Sequence, residues 1–386
     1  MEKKYNFHII IHLMKKEIIK LNIYLKKKIE KINHIFSECN ELTNIDLSNF
    51  NSQNIKEMNY MFYKCENLTE LNLSNFNTEN IYNMKYLFYE CKSLKELNIS
   101  SFNTKYVYDM SNMFNGCNSL TNLDLSNFNT INVCYMNRMF SSCNSLKQLD
   151  LSNFHAETAI DISCMFSGCN SLINLDLTNF RTKIATDMSF MFDGCNSLVN
   201  LDINAFNTDN ITNMRNMFKD CYSLEKLNLS NFNTENVTDM SYMFSKCSKL
   251  ANLDLSNFNT EKVITMKCMF DGCESLKSIN LNRFNTKEVT DMGYMFNDCN
   301  SLINLDLSNF IVEKVEDMGY MFGHCLNLTN LNISKFNLNI VNNTRFMIYD
   351  CQSLKKENII ANDSIKILFG YIQNNVKNLR SKNFIW

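Results

Sequence analysis

The strongest constraint on this chain is a 26-residue period that runs without insertion or deletion from Leu42 to Leu354. Every twenty-sixth position in that interval is leucine, so the interval holds twelve repeats. A fixed period of this size is typical of a stacked array in which each unit buries its face only against its neighbours. We therefore predict a single repeat solenoid and not a set of globular domains.

Composition and charge narrow the class of partner. Apolar residues make up 45% of the chain and proline is absent, so we expect folding throughout; the 8 glycines predict few positive-φ positions. The net charge of −2 combines an acidic repeat region with basic ends, since residues 1–36 carry nine lysines against three glutamates. Nucleic-acid binding needs clustered Lys and Arg, so we expect none by the repeats.

The two ends are predicted to be caps. Residues 1–36 are predicted to form the N-terminal cap. Within them, the spacing of Ile18, Leu21 and Leu25 predicts a basic amphipathic helix over 15–36 that covers the first repeat. A weak contact of this helix with an anionic membrane surface is the alternative. Residues 37–354 form the repeats, and in 355–386 a helix capped by Ser364 is predicted to cover the last repeat. No export signal, anchor or membrane-spanning run is legible.

Each repeat divides into two halves, as in Leu224 to Leu250, L-E-K-L-N-L-S-N-F-N-T-E-N-V-T-D-M-S-Y-M-F-S-K-C-S-K-L. The alternating L-x-L predicts a short strand with Leu227 and Leu229 inward. In the second half, apolar residues three or four apart predict a helical or 3₁₀ return segment. Stacked coils would therefore form a parallel β-sheet on one face, with columns of equivalent residues about 4.8 Å apart.

This pattern resembles the 26-residue repeat of the BspA-like family of bacterial surface proteins. The resemblance, over about residues 36 to 354, implies a leucine-rich-repeat solenoid, no enzymatic site, and surface-exposed or secreted proteins that act in adhesion or protein binding. The chain departs from the usual leucine-rich repeat at Phe76, Phe128 and Phe232, where asparagine is expected. We expect an aromatic spine to replace the backbone-bonding asparagine ladder.

Thirteen of the 16 cysteines share one register. Side chains in register point in parallel, whereas a disulfide needs converging Cβ vectors, so a buried ladder of free thiols is predicted. Successive disulfides or a metal site are the alternatives, although no C-x-x-C pair occurs. Cys134, Cys164 and Cys268 lie outside the register and are expected to be exposed and oxidisable. The ladder is Cys39, Cys65, Cys91, Cys117, Cys143, Cys169, Cys195, Cys221, Cys247, Cys273, Cys299, Cys325 and Cys351.

An outward column on the strand holds only Asp or Asn in all twelve repeats. Four consecutive aspartates repel one another, so we hypothesise that this face binds a basic or polar protein surface, with Ca²⁺ as a lesser option. The alternative is a solvated ladder whose side chains hydrogen-bond from coil to coil. The candidate binding residues are Asp124, Asp150, Asp176, Asp202, Asn228, Asp254 and Asp306.

A second candidate surface is an aromatic stripe beside the buried Met and Phe columns. Tyrosine is favoured at recognition surfaces because it combines a large contact area with one polar tip. The alternative is that these rings only cover the methionine ridge. The stripe consists of Tyr60, Tyr86, Tyr242, Tyr294 and Tyr320.

No catalytic or cofactor site is predicted, because the five histidines are scattered and no phosphate-binding or nucleophile motif occurs. The sequence therefore indicates a non-enzymatic protein-binding solenoid, adhesin-like and at the cell surface or secreted. An intracellular (cytoplasmic) interaction scaffold is the first alternative, since no export signal is legible and sixteen cysteines lack evident pairing. A structural spacer or filament is the second.

Overall fold

The chain folds into stacked coils of 26 residues. The computed structural model describes Ile19–Lys20, residues 29–362 and Ile365. It forms two compact units, Met1–Asn210 (unit 1) and Ile211–Trp386 (unit 2). Paired residues in neighbouring strands of the repeats differ by 26 positions, as in Asn44 with Glu70 of unit 1 and Asn304 with Asn330 of unit 2, whereas the last pairing, Ile359 with Leu331, has an offset of 28. Every such pairing is parallel, which confirms the predicted repeat solenoid.

The strands are short, with two or three residues each. In unit 1 they are β1 (Ile19–Lys20), β2 (Asn44–Asp46), β3 (Glu70–Asn72), β4 (Gln148–Asp150), β5 (Asn174–Asp176) and β6 (Asn200–Leu201). In unit 2 they are β7 (Lys226–Leu227), β8 (Asn304–Asp306), β9 (Asn330–Asn332) and β10 (Ile359–Ile360). The sheet orders are β1-β2-β3 and β4-β5 in unit 1, and β8-β9-β10 in unit 2.

The return segments are chains of turns. In the coil around Met61, backbone N–H groups alternate between two acceptors. Those of Met61 and Tyr63 bond three residues back in the same coil, whereas those of Tyr60 and Phe62 bond carbonyls of the next coil at 3.0 Å. The i to i+3 spacing of apolar residues therefore reflects successive turns, and 3₁₀ helices occur among the described residues only at Leu338–Ile340 and Lys356–Asn358.

This alternation requires two left-handed backbone positions in every described return segment, which corrects the expectation of few positive-φ residues. The first of these positions recurs every 26 residues from His34 to Phe346, with φ between 53° and 61°. The other runs from Glu38 to Asp350 and is glycine only at Gly116, Gly168, Gly194 and Gly272. Non-glycine residues rarely adopt this conformation. It persists here because the inter-coil hydrogen bonds leave no other backbone path.

The core consists of uninterrupted apolar columns. The phenylalanine of each M-F or L-F pair is buried. Its ring stacks on the equivalent ring one coil away, at 5.6 Å for Phe88 and Phe114 and at 5.7 Å for Phe218 and Phe244. The LSNF phenylalanines form a second spine, which is buried from Phe76 onward and only partly buried at Phe50. Leu229 lies inward as predicted, at 1% exposure, whereas Leu227 of β7 is only partly buried.

Two polar ladders connect neighbouring coils. Asn127 Nδ2 donates to the carbonyl oxygens of Ile99 and Phe102, and equivalent bonds to the preceding coil are made by Asn75, Asn153, Asn179, Asn257 and Asn309. The expectation that the aromatic spine replaces an asparagine ladder was therefore wrong, because the asparagine lies one position before the phenylalanine.

The second ladder is a buried threonine column. Thr104 Oγ1 donates to the carbonyl of Asn129 at 2.9 Å and accepts from the N–H of the same residue at 2.7 Å. Thr78 and Thr130 bond the next coil in the same way. Each hydroxyl thus satisfies both backbone polar groups of one residue in the next coil, which connects the two coils.

The described residues do not show the predicted helical caps. Ile19–Lys20 is a strand paired with Ile45 and Asp46. Lys31 forms a parallel bridge with Glu57, and turns follow from residue 33, where Phe36 stacks on Phe62 at 5.5 Å. The N-terminal segment thus continues the coil pattern, and its other residues lie outside the described part. Most of the predicted C-terminal helix, with its expected cap Ser364, also lies outside it; among the described residues, Asn362 Oδ1 accepts from the N–H of Ile365 at 3.0 Å.

Candidate protein-binding face

Four of the predicted aspartates line one depression on the strand side of unit 1. We call it the strand-face pocket; it has a volume of about 960 Å³ and includes Asp124, Asp150, Asp176 and Asp202. Parallel pairing places Asp150 beside Asp176. All four side chains are exposed. The structure therefore brings together the consecutive aspartates that the sequence singled out.

The pocket also contains groups that the sequence did not indicate. Gln148 and Asn174 lie in the adjacent outward column, and Ile173 and Val199 add apolar surface. Ile173 is 48% exposed. These residues vary from coil to coil, so the repeat pattern gave no reason to select them. The result is a concave surface with carboxylates along one line and amides and aliphatic groups beside it.

The reason for the Asp/Asn column is local. Asp124 Oδ1 accepts the backbone N–H of Ser126 at 2.9 Å, and Asn72 Oδ1 accepts that of Ser74 at 3.1 Å. The same turn recurs along the column, including at Asp176 and Asp202. Asp and Asn are interchangeable here because both offer the required oxygen. The recurring bond of this column is therefore made within each coil, and Asp306 also hydrogen-bonds its neighbour Asn332 in the next coil.

This bond changes the electrostatic balance of the stripe. The N–H of Ser126 holds the pKa of Asp124 below its ordinary value, and that of Ser152 does the same for Asp150. The charge of Asp124 acts in the opposite direction on Asp150 but is the weakest influence on that pKa. The carboxylates of Asp124 and Asp150 are thus stabilised as anions by backbone groups of their own coils.

The other three candidates do not belong to this pocket. Asn228, Asp254 and Asp306 lie in unit 2, where each is exposed and bonds the N–H two residues later. A separate depression of about 470 Å³ in unit 1 contains Asp46 with Glu70 and Glu96. These two glutamates were not predicted, because their column is occupied by uncharged residues in most repeats.

The aromatic stripe occupies the first left-handed position. Tyr60 stacks on Tyr86 at 4.7 Å, and Tyr294 stacks on Tyr320 at 4.9 Å. Tyr242 has Arg215 over its ring at 5.8 Å. Each of these rings therefore has a face in contact with a neighbouring residue, and the Tyr242 hydroxyl hydrogen-bonds the buried Cys268. A recognition role for the stripe stays a prediction.

The cysteine ladder is buried and its thiols have a repeated partner. Cys117 Sγ donates to the carbonyl of Phe88 at 3.2 Å, and Cys299 Sγ donates to that of Phe270 at the same distance. Burial raises the pKa of Cys117 to about 12. Of the three cysteines outside the ladder, Cys164 and Cys268 are 5% exposed, so the expectation of exposure was wrong for both. Cys134 is partly exposed, as expected.

Searches for other sites covered the described residues only. Among them, no group of three or more His, Cys, Asp or Glu side chains has the arrangement needed to hold a metal ion. No helix in the described ranges has the length and apolar character required to cross a membrane.

Sequence comparison identifies a family model. The model described as "Mycoplasma protein of unknown function, DUF285" matches residues 12–97, 95–198, 162–280 and 251–361, which together cover most of the chain. No curated protein matches the sequence. The likeness to BspA-like proteins remains a resemblance of the repeat.

Solved structures with a similar arrangement include three bacterial proteins. A leucine-rich repeat protein from Bacteroides ovatus is 18% identical, with 90% of this chain and 83% of that chain covered and a TM-score of 0.44. A leucine-rich cell surface protein from Faecalibacterium prausnitzii is 16% identical, with 86% of this chain and 83% of that chain covered and a TM-score of 0.37. An internalin from Listeria monocytogenes is 17% identical, with 79% of this chain and 82% of that chain covered and a TM-score of 0.25. With every TM-score below 0.5, the solenoid architecture rests on the register of this chain itself.

Proposed function

We propose that this chain, which belongs to the DUF285 family, is a non-enzymatic solenoid that binds another protein through the strand-face pocket of unit 1. The observation that supports this proposal is the pocket itself, in which four exposed aspartates lie beside Ile173 and Val199. Binding surfaces commonly combine a concave shape, apolar contact area and a few orienting polar groups. The partner is a protein with a basic or polar surface.

The chemistry of the pocket favours an elongated basic segment. Equivalent carboxylates in adjacent coils are about 4.8 Å apart, so the four aspartates can face successive Lys or Arg side chains of one strand or loop. Exposed charge pairs contribute modestly to affinity but strongly to the association rate and its salt dependence. Ile173 offers an apolar contact at the same place.

Replacing all four pocket aspartates with asparagine tests this proposal without removing the turns that support the column. Asn72 and Asn98 already occupy the column and accept the same N–H bond at 3.1 Å. The probe is an immobilised array of 15-residue peptides with graded Lys/Arg and apolar content, with a single-stranded RNA oligonucleotide to test the expectation that nucleic acid is not bound. We expect peptides with both basic and apolar residues to bind, and the variant to bind them about tenfold more weakly or worse.

The matched control is the pair Asp254→Asn and Asp306→Asn, which lies in the same column of unit 2 outside the pocket. It should leave peptide affinity unchanged. Equal affinity of the wild type and the quadruple variant for every bound peptide would contradict the assignment of the pocket. A parallel series with Ca²⁺ and with EDTA tests the lesser option of a cation at the stripe.

The resemblance of the repeat to bacterial surface proteins supports an adhesin-like role at the cell surface, whereas the thiol ladder supports an intracellular scaffold. Eleven ladder thiols each lie within 3.3 Å of a phenylalanine carbonyl one coil back, a contact that suits a protonated thiol in a reducing compartment. Cell fractionation combined with thiol titration in denaturant separates the two roles. Surface protein favours the adhesin, and cytosolic protein with about 16 free thiols, the number of cysteines, favours the scaffold.

A further inference from the structure

Unit 1 carries an exposed apolar patch that the proposed function does not use. We call it the turn-face patch. It lies on the turns between the threonine column and the next methionine, on five consecutive coils. Six of its side chains are 38% to 56% exposed. It consists of Tyr82, Tyr106, Tyr108, Ile131, Cys134, Tyr135, Ile160 and Ile184.

The patch is contiguous. The backbone N–H of Tyr108 donates to the carbonyl of Tyr82 at 2.9 Å, and those of Cys134 and Ile160 donate to the preceding residue of the column at 2.8 Å. The rings of Tyr82 and Tyr108 stack at 6.0 Å. Tyr106 and Ile131 project from the adjoining turns and are the most exposed members, at 56% and 53%.

The same registers in unit 2 are different in character. They hold Glu261, Lys262, Glu288 and Lys314. The exposed aliphatic residues there, Ile264 at 50% and Ile340 at 47%, lie about three coils apart and form no contiguous patch. The fold of the coil therefore does not require apolar residues at these positions. Contiguous exposed apolar surface of this kind commonly marks an interaction site.

The size of the patch suits a protein interface. If each of the six most exposed side chains has a total surface of about 200 Å², their exposed fractions together leave roughly 500 Å² open. A stable interface needs about 800 Å² from each partner, including a polar rim. The patch supplies the apolar part of such an interface, and the flanking polar residues would have to supply the remaining area of about 300 Å².

The rim indicates which partner. One register reads Glu79, Lys105, Ile131, Glu157 and Lys183 in successive coils, and the four charged side chains are exposed or partly exposed. A two-fold axis at Ile131 with antiparallel stacks would place Lys105 opposite Glu157, and Glu79 opposite Lys183, each pair occurring twice. The same axis would bring Cys134 near its own copy, because Cys134 lies in the same coil as Ile131.

We propose that the turn-face patch binds a second copy of this chain as an antiparallel two-fold dimer centred on the coil of Ile131 and Cys134. Tyr108 then packs against Ile160 of the other copy. An apolar centre with a rim of alternating charge is complementary to itself under this axis. The strand-face pocket, with four carboxylates, has no such self-complementarity.

Sedimentation of the full-length chain between about 0.1 and 100 μM tests the dimer directly, since moderate interfaces dissociate in this range. Ile160→Glu should raise the dissociation constant at least tenfold, because the charge enters the apolar centre on both copies. Ile264→Glu, four repeats later in the same register, is the matched control and should have no effect. A wild-type monomer at every concentration, or a dimer that Ile160→Glu leaves unchanged, overturns the proposal.

A charge exchange tests the two-fold arrangement. Lys105→Glu should weaken the dimer severalfold, and adding Glu157→Lys should restore it, because both pairs are then re-formed with reversed sign. A short bis-maleimide should also cross-link two copies through Cys134, and Cys134→Ser should abolish cross-linking without changing sedimentation. Failure of the double variant to recover overturns the axis. Patch-dependent flotation of a monomer with phosphatidylglycerol vesicles would instead assign the patch to membranes and overturn the dimer.

Discussion

The buried threonine column provides the sharpest test of how neighbouring coils are held together. Thr104 is 1% exposed and bonds both backbone polar groups of Asn129, as donor to its carbonyl at 2.9 Å and as acceptor from its N–H at 2.7 Å. Thr104→Val keeps the shape of the side chain and removes both bonds. The perturbation is therefore almost purely polar.

The magnitude follows from opposing contributions. Leaving a buried donor unsatisfied costs about 1–3 kcal/mol, and the added methyl group recovers up to about 0.8 kcal/mol. We expect a net loss of about 1–2 kcal/mol. Ala156 shows how the chain tolerates a missing hydroxyl, because the N–H of Arg181 in the next coil bonds Asn179 of its own coil at 2.8 Å instead. The variant should therefore fold.

Hydrogen exchange at the amide of Asn129 is the appropriate assay, since a repeat array can open locally. Thr104→Val should accelerate its exchange about tenfold, which corresponds to the expected loss. Thr121→Val is the control, because that hydroxyl is exposed and lies 3.4 Å from the Lys95 carbonyl. Equal protection in the two variants would refute the role of the column. Ala156→Thr should have the opposite effect and protect Arg181.

Three further predictions concern backbone, thiols and pH. Gly194→Ala should lower the free energy of unfolding by about 1 kcal/mol in urea titration, because φ is 72° there; an unchanged midpoint would contradict the strain. Iodoacetamide should modify Cys134 in the native protein far faster than Cys65, whose pKa is raised by burial, as mass spectrometry of the alkylated peptides would show. The Lys31 and Tyr82 hydrogen bonds lower the pKa of Glu57 to about 2, so its stabilising contribution is present above the unfolded-state pKa and is lost as pH falls towards 2. Wild type and Glu57→Gln should differ in thermal midpoint at pH 7 and converge near pH 2, and a constant difference would refute the assignment.

The sequence by itself determined the solenoid, its period and the identity of the inward columns. A period of 26 admits one kind of solution, in which equivalent residues stack, and residues such as Leu229 and Phe244 then have only the core available. The four pocket aspartates could be chosen for the same reason, because an unbroken register makes consecutive repeats spatial neighbours.

Tertiary structure decided what depends on backbone path and on neighbours in other coils. Apolar spacing of three or four residues fits both a helix and successive turns, and only the inter-coil hydrogen bonds select turns with two left-handed residues per coil. The burial of Cys164 and Cys268, the asparagine ladder and the strand at Ile19–Lys20 follow from that path. Ile173 and the turn-face patch were not evident either, because periodicity reports what the repeats share, whereas a binding surface depends on where they differ.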